Sequence, residues 1–362
     1  MFGLSWVMAR WRVCLMAPLT KHELAQEQRL VELRAINASL MRQLAKAKAS
    51  KEELVAAVYG AAKQAALSLD LPKITPPKRD RRHGAESAIA VLSDWQLAKV
   101  TASYNSKVCE QRISKYGDKV IELTNIQRAD HPVTDLRVYL LGDIVEGELI
   151  FPGQAHFVDA SLYEQVLVSG RRILCHFLRR MLAYFETVSV VGVIGNHGQL
   201  GGRARRDYHP ESNADAMLYE ACRLVLKGET GEGEPRLTWQ ENRVARQRKW
   251  YAMDYVGECG FLLFHGDQIK GGYADYPWYS FGKKIMRWRN GGIAEDFQYA
   301  LSGHFHTPGR HLFGRVRHWA SGSTESSNEY AAERIGNQGD PSQWLLFCNG
   351  KRVTAEYEVD VR

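Results

Sequence analysis

Val188-Ser189-Val190-Val191-Gly192-Val193-Ile194 runs straight into Gly195-Asn196-His197-Gly198, and the fold turns on how this stretch is read. A short apolar run closed by a glycine and polar side chains has the texture of a buried strand ending in a tight turn. The glycine lets the chain turn sharply and aim the next side chain outward. The same texture recurs four times. Ala88–Leu92 leads to Ser93-Asp94-Trp95-Gln96, and Leu136–Leu141 leads to Gly142-Asp143. Phe261–Phe264 leads to His265-Gly266-Asp267, and Tyr299–Leu301 leads to Gly303-His304-Phe305-His306.

Long helical stretches, Glu110–Gln127 and Leu162–Phe185, separate the earlier runs. Strand and helix in alternation imply a layered α/β domain. Further runs at Val316–Ala320, Trp344–Cys348 and Val353–Tyr357 make the closing region richer in strands. In open α/β sheets, ligands gather at the carboxyl ends of strands. Residues far apart in sequence can therefore meet there.

The side chains so placed are Asp94, Gln96, Asp143, Asn196, His265, His304 and His306. A mix of carboxylate, amide oxygen and imidazole suits Mn²⁺, Fe or Zn²⁺ better than Ca²⁺, which prefers oxygen alone. Two clustered cations need a bridging anion, and a carboxylate such as Asp143 can bind both. His304 and His306 alternate along the chain, so both can point the same way.

The chain has 362 residues, 45% of them hydrophobic and 25% charged, a soluble globular composition able to bury a core. The net charge of +7 favours polyanionic partners, nucleic acid among them. Six scattered cysteines form no CxxC pair, which argues against a zinc ribbon and a disulfide framework and fits a cytoplasmic protein. Residues 1–18 mix apolar residues with Arg10 and Arg12 and match neither a signal peptide nor a membrane helix; they are expected to be an unstructured leader, or Met16 to be the true start. No other segment is expected to span a membrane. Residues 19–71 read as helical: Leu30, Leu33, Asn37, Leu40 and Leu44 form a short coiled-coil seam, through which homo-oligomers could form. Ser50 and Glu53 open a second helix as a capping box. Residues 72–86, with Pro76, Pro77, Lys78, Arg79, Arg81 and Arg82, read as a basic linker into a domain over 87–362.

The order of these motifs, Asp94-x-Gln96, Gly142-Asp143, Gly195-Asn196-His197, His265 and Gly303-His304-x-His306, resembles the signature of calcineurin-like metallophosphoesterases. More narrowly, Gly142–Glu148, His265–Gly271 and Ser321–Thr324 look like the DNA-exonuclease-like members encoded by bacteriophages. The resemblance implies a four-layer α/β/β/α sandwich of two mixed sheets. It also implies two divalent metal ions, manganese foremost, with Mg²⁺, Fe or Zn²⁺ as alternatives. Asp94, Gln96, Asp143 and His306 would hold one; Asp143, Asn196, His265 and His304 would hold the other. His197 would sit over the phosphate as a catalytic non-ligand. Two positions depart from the pattern. Gln96 stands where the family has histidine, which weakens that site. Gly198 stands where the family has an acid, so another group, Asp207 or Asp215, would have to orient His197.

The expected reaction is hydrolysis of phosphodiester bonds by two-metal activation of water, as in a nuclease or exonuclease acting in the cytoplasm of a bacterial host. The alternatives are a phosphomonoesterase or phosphoprotein phosphatase on the same scaffold, and a non-catalytic nucleic-acid-binding protein with a decayed site. Arg203, Arg205, Arg206 and Lys270 follow the motifs and are candidate substrate-binding residues. Tyr273, Tyr276, Trp278 and Tyr279, followed by Lys283, Lys284, Arg287 and Arg289, suit a phosphate backbone with stacked bases.

Overall fold

The computed structural model describes residues 57, 60, 74–201, 209, 212–226, 235–240, 243–244, 247–248, 250–270, 276–328 and 339–362. The leader, the coiled-coil seam, the second helix apart from residues 57 and 60, Asp207, Arg203, Arg205, Arg206 and Tyr273 lie outside the described residues. The chain divides into 1–57 and 58–362, and every element below belongs to the second unit.

β1 (Glu86–Leu92) leads through α1 (Ser106–Arg128) to β2 (Val133–Leu140). α1 starts where the Asn105 side chain accepts from the Val108 N–H at 3.0 Å, a standard N-cap. A π-helical segment, Glu164–Gly170, runs into α2 (Arg171–Tyr184) and then β3 (Thr187–Gly192). α3 (Ala214–Val225) precedes β4 (Leu237–Trp239), the two-residue strands β5 (Arg243–Val244) and β6 (Gln247–Arg248), and the hairpin β7 (Tyr251–Val256) and β8 (Cys259–Phe264). α4 (Trp278–Arg287) leads to β9 (Tyr299–Ser302), and β10 (Gly309–Phe313), β11 (Val316–Ala320), β12 (Ser342–Cys348) and β13 (Val353–Asp360) close the chain.

Two large sheets result, ordered β13-β12-β1-β2-β3-β4 and β10-β11-β9-β8-β7, and β5 pairs with β6 alone. Both are mixed: β1, β2, β3 and β4 run parallel, as do β8, β9 and β11, while β12, β13, β7 and β10 pair antiparallel. Alternation along the strands divides the apolar side chains between two faces. Ile89, Val91, Tyr139 and Val191 meet Phe261, Leu263, Leu301 and Trp319 in the core between the sheets. On the outer face of the second sheet, Leu262, Phe264 and Ala300 pack on Phe281 and Ile285 of α4. α1 covers the first sheet, where its buried Tyr116 hydroxyl accepts from Val91 N–H and donates to Trp344 C=O at 2.6 Å. The architecture is an α/β/β/α sandwich.

α4 lies in a stretch that the sequence suggested as a substrate rim. The structure divides those aromatics: Tyr276, just before α4, is buried in the outer core beside Phe281, whereas Trp278 and Tyr279 are exposed.

Candidate metal centre

Each candidate ligand follows a parallel strand directly. Asp94 comes two residues after β1, Asp143 three after β2, Asn196 four after β3 and His265 one after β8, while His304 and His306 follow β9. The loops at these strand ends interlock through their backbones. Asp94 N–H donates to Gly142 C=O and Gln96 N–H to Asp143 C=O, both at 3.0 Å, and Gly303 N–H donates to His265 C=O at 2.8 Å.

The backbone here is strained. Seven non-glycine residues have positive φ among the described residues, and five are candidate ligands: Asp94 at 49°, Gln96 at 48°, Asp143 at 50°, His304 at 74° and His306 at 52°. Such conformations are disfavoured for residues with a Cβ and persist where the surroundings over-determine them, as at functional sites. Glycines let the loops approach. A Cβ on Gly142 would strike the Ile194–Gly195 backbone, and one on Gly195 would strike the Asp143 carboxylate.

Two groups of donors share one carboxylate. In the first, His306 Nε2 lies 3.3 Å from Asp94 Oδ1 and 3.3 Å from Gln96 Nε2, and that amide is 3.4 Å from Asp143 Oδ2. In the second, His265 Nε2 lies 3.1 Å from both Asp143 Oδ2 and Asn196 Oδ1. Donor atoms of Asp143, His265 and His304 all fall within 4.8 Å of one another. Asp143 thus stands between the groups, and the seven residues singled out from sequence come together.

The donor set fits divalent cations. His265 Nδ1 donates to Leu141 C=O at 2.8 Å, which turns Nε2 inward. His306 Nδ1 faces Glu325 Oε1 at 2.6 Å, with the same effect. Gln96 is fully buried and its Oε1 has no hydrogen-bond partner. A half-turn of that amide, whose oxygen and nitrogen are assigned rather than distinguished, sets the oxygen toward Asp143 and His306.

The electrostatics carry the same message. Burial is the largest influence on His265 and opposes its charge, but Asp143 beside it, together with Asp94 and Asp267, lifts the imidazole to about 10. Burial likewise opposes charge on His306, and Glu325 with Asp94 raises it to about 10. For Asp143 burial pushes upward, yet His265 and His197 hold its carboxyl well below the usual range. His304 goes the other way: burial and then the neighbouring His265 lower it to about 3. Protons on His265 and His306 neutralise the carboxylates where a cation could do so instead.

Three acidic residues escape the sequence pattern of the site or fill a different role in it. Asp215 does not face His197. Its carboxylate accepts from the backbone N–H groups of Asp143, Ile144, Val145 and Gly195 at 2.9–3.2 Å, tying the β2 and β3 loops together. Burial and then Asp143 push its carboxyl up to about 6. Glu325 lies beyond β11 and one residue past the Ser321–Thr324 stretch. It pairs with His306 and, at 2.5 Å, with Lys99. Glu146 faces His197: its Oε2 and its backbone oxygen are each 3.2 Å from Nδ1. For Glu325 the available signal was its position at a sixth strand end. His197 itself stands beside the donors, with Nε2 3.9 Å from Asp143 Oδ2.

Lys270 is exposed beyond the His265 loop. The five cysteines among the described residues are all buried. No helix among the described residues is long and apolar enough to cross a membrane.

No family model and no curated protein matches the chain. Solved structures do resemble it. One is a predicted phosphoesterase from Streptococcus pneumoniae, 14% identical, covering 76% of this chain and 98% of its own, with a TM-score of 0.28. Another is zinc-complexed Vps29 from Entamoeba histolytica, 11% identical, covering 76% and 99%, with a TM-score of 0.32. A third is an archaeal phosphodiesterase, 11% identical, covering 75% and 99%, with a TM-score of 0.33. At such identities and scores the chemistry has to be argued from this chain's own residues.

Proposed function

We propose that the chain is a metal-dependent phosphoesterase that hydrolyses phosphodiester bonds, with nucleic acid as substrate. The observation that carries this is the meeting of Asp94, Gln96, Asp143, His265, His304 and His306 at the strand ends, five of them in left-handed backbone conformations. Asp94, Gln96, Asp143 and His306 would hold one cation; Asp143, Asn196, His265 and His304 would hold the other. When bound, two divalent cations supply Lewis acidity and make water a nucleophile at neutral pH.

The protein's own part is orientation and charge. Asp143 presents one oxygen to the His197 backbone N–H at 2.8 Å and the other to His265, so its carboxylate cannot rotate freely. His304 N–H donates to both oxygens of Asp94 at 3.0 Å, which holds that carboxylate in turn. His197 is partly exposed beside the pair. It is placed to donate a proton or hydrogen bond to a phosphoryl or leaving oxygen arriving from solvent.

The nucleic-acid reading draws on the net charge of +7 and on the exposed Trp278 and Tyr279, with Lys283 Nζ 5.9 Å from the Tyr279 ring centroid. Base stacking and backbone neutralisation both need such groups. The test uses manganese with end-labelled single- and double-stranded DNA, p-nitrophenyl phosphate, and Asp143→Ala as control. Cleavage of DNA that Asp143→Ala abolishes is expected. Turnover of the monoester alone would move the substrate class to phosphomonoesters. DNA binding without turnover under any metal would refute catalysis.

A further inference from the structure

We infer that Glu146 is the positioning residue for His197, supplying from the β2 loop the acid that Gly198 cannot carry. The inference rests on the phosphoesterase reading for its kinetic consequence and on geometry alone for the placement. Glu146 is 2% exposed, and its Oε2, a buried oxygen without a hydrogen bond, lies within ion-pair distance of His197 Nδ1, 3.2 Å. The Glu146 backbone oxygen, 3.2 Å from the same nitrogen, takes its hydrogen bond, and the carboxylate lies beside it as the counter-charge, so both groups that face Nδ1 come from one residue.

Glu146 is itself clamped. Gln154, fully buried, donates from Nε2 to both Glu146 Oε1 and Glu146 C=O at 2.9 Å. Its own oxygen accepts from Ile150 N–H at 2.7 Å, which fixes the amide's orientation. The carboxylate therefore has one oxygen committed to Gln154 and one turned to His197. An imidazole pinned at Nδ1 presents Nε2 in one direction, here toward the Asp143 side, 3.9 Å from Oδ2.

The position after His197 has no room for an acid. A Cβ on Gly198 would lie 2.8 Å from Asn213 Oδ1 and 3.0 Å from the Asp215 backbone nitrogen. That space belongs to the α3 cap, where Asn213 accepts from Asp215 N–H and donates to Gly195 C=O, both at 2.8 Å. The cap holds the Asn196 loop, and the orienting carboxylate comes from the loop after β2.

The test is Glu146→Gln, which keeps an oxygen for Gln154 but turns an amide N–H₂ toward Nδ1. In the metal-free protein, the ¹⁵N resonances of His197, assigned with His197→Ala, should shift as Nδ1 loses the carboxylate beside it while keeping the backbone oxygen. With manganese and a phosphodiester, kcat should fall about 10- to 100-fold, with KM and manganese affinity within about twofold of the parent. Glu146→Asp, which restores a carboxylate, should recover part of the loss. Unchanged His197 resonances, parental kcat, or a loss that follows manganese affinity would overturn the inference. A shifted His197 spectrum in a protein whose parent hydrolyses nothing would sustain the placement and sink the phosphoesterase reading.

Discussion

Gly142→Ala should damage metal binding more than it damages the fold. Gly142 has φ of +89°, so any side chain there meets left-handed strain, about 1–2 kcal/mol. The larger effect is steric. A Cβ would sit 2.6 Å from Ile194 C and 2.7 Å from Gly195 Cα, where ordinary contact begins at 3.4 Å. The Gly195 backbone nitrogen would be nearer still, so the two loops must part by more than about 0.8 Å, and such overpacking costs about 1–3 kcal/mol. One loop carries Asp143 and the other Asn196, and site geometry tolerates only about 0.5 Å of displacement. Calorimetric titration with manganese should show affinity lowered at least about tenfold, and urea unfolding should show a loss of about 2–5 kcal/mol in all. Gly84→Ala is the control, since Gly84 has φ of +76° with nothing within 4 Å of a Cβ. It should lose only the strain component and leave metal affinity intact. If Gly142→Ala binds manganese like Gly84→Ala, the close approach of the loops does not set the ligand geometry.

Glu325→Ala removes the partner of Lys99, whose side chain is only 18% exposed, and stability should fall by about 3–5 kcal/mol; if Lys99→Met in that background restores none of it, the burial argument fails. Manganese binding should release protons, about two near pH 7.5, because His265 and His306 sit at about 10 without metal and bind metal only when neutral. Affinity should therefore rise with pH through the neutral and mildly alkaline range, and binding enthalpies identical in buffers of different ionisation enthalpy would contradict this. Gln96→His should tighten manganese at the site shared with Asp94 and His306, and equal calorimetric affinity in both proteins would remove Gln96 from the ligand set.

The candidate ligands are legible in the chain because each follows its strand directly. Apolar runs mark the strands, and the glycines in or beside four of the five motifs mark the turns that follow, so Asp143 and His265 fall at strand ends whatever the sheet order. Helix α4 leaves no such mark, because its apolar Phe281 and Ile285 stand among aromatics and cations that also suit a surface. Tyr276 and Trp278, two residues apart, divide between core and solvent for that reason.

Residue type, spacing and the short-range rules of strand and turn are enough to name Asp94, Gln96, Asp143, Asn196, His265, His304 and His306, since these depend on neighbours in the chain. Which acid serves which histidine depends on tertiary structure. Glu146 reaches His197 from the loop after β2, 51 residues earlier in the chain, Asp215 turns to the backbone instead, and Glu325 arrives from the end of β11. Such pairings are set by packing between sheets and loops, where space at Gly198 is taken by Asn213, and no local pattern in the chain encodes them.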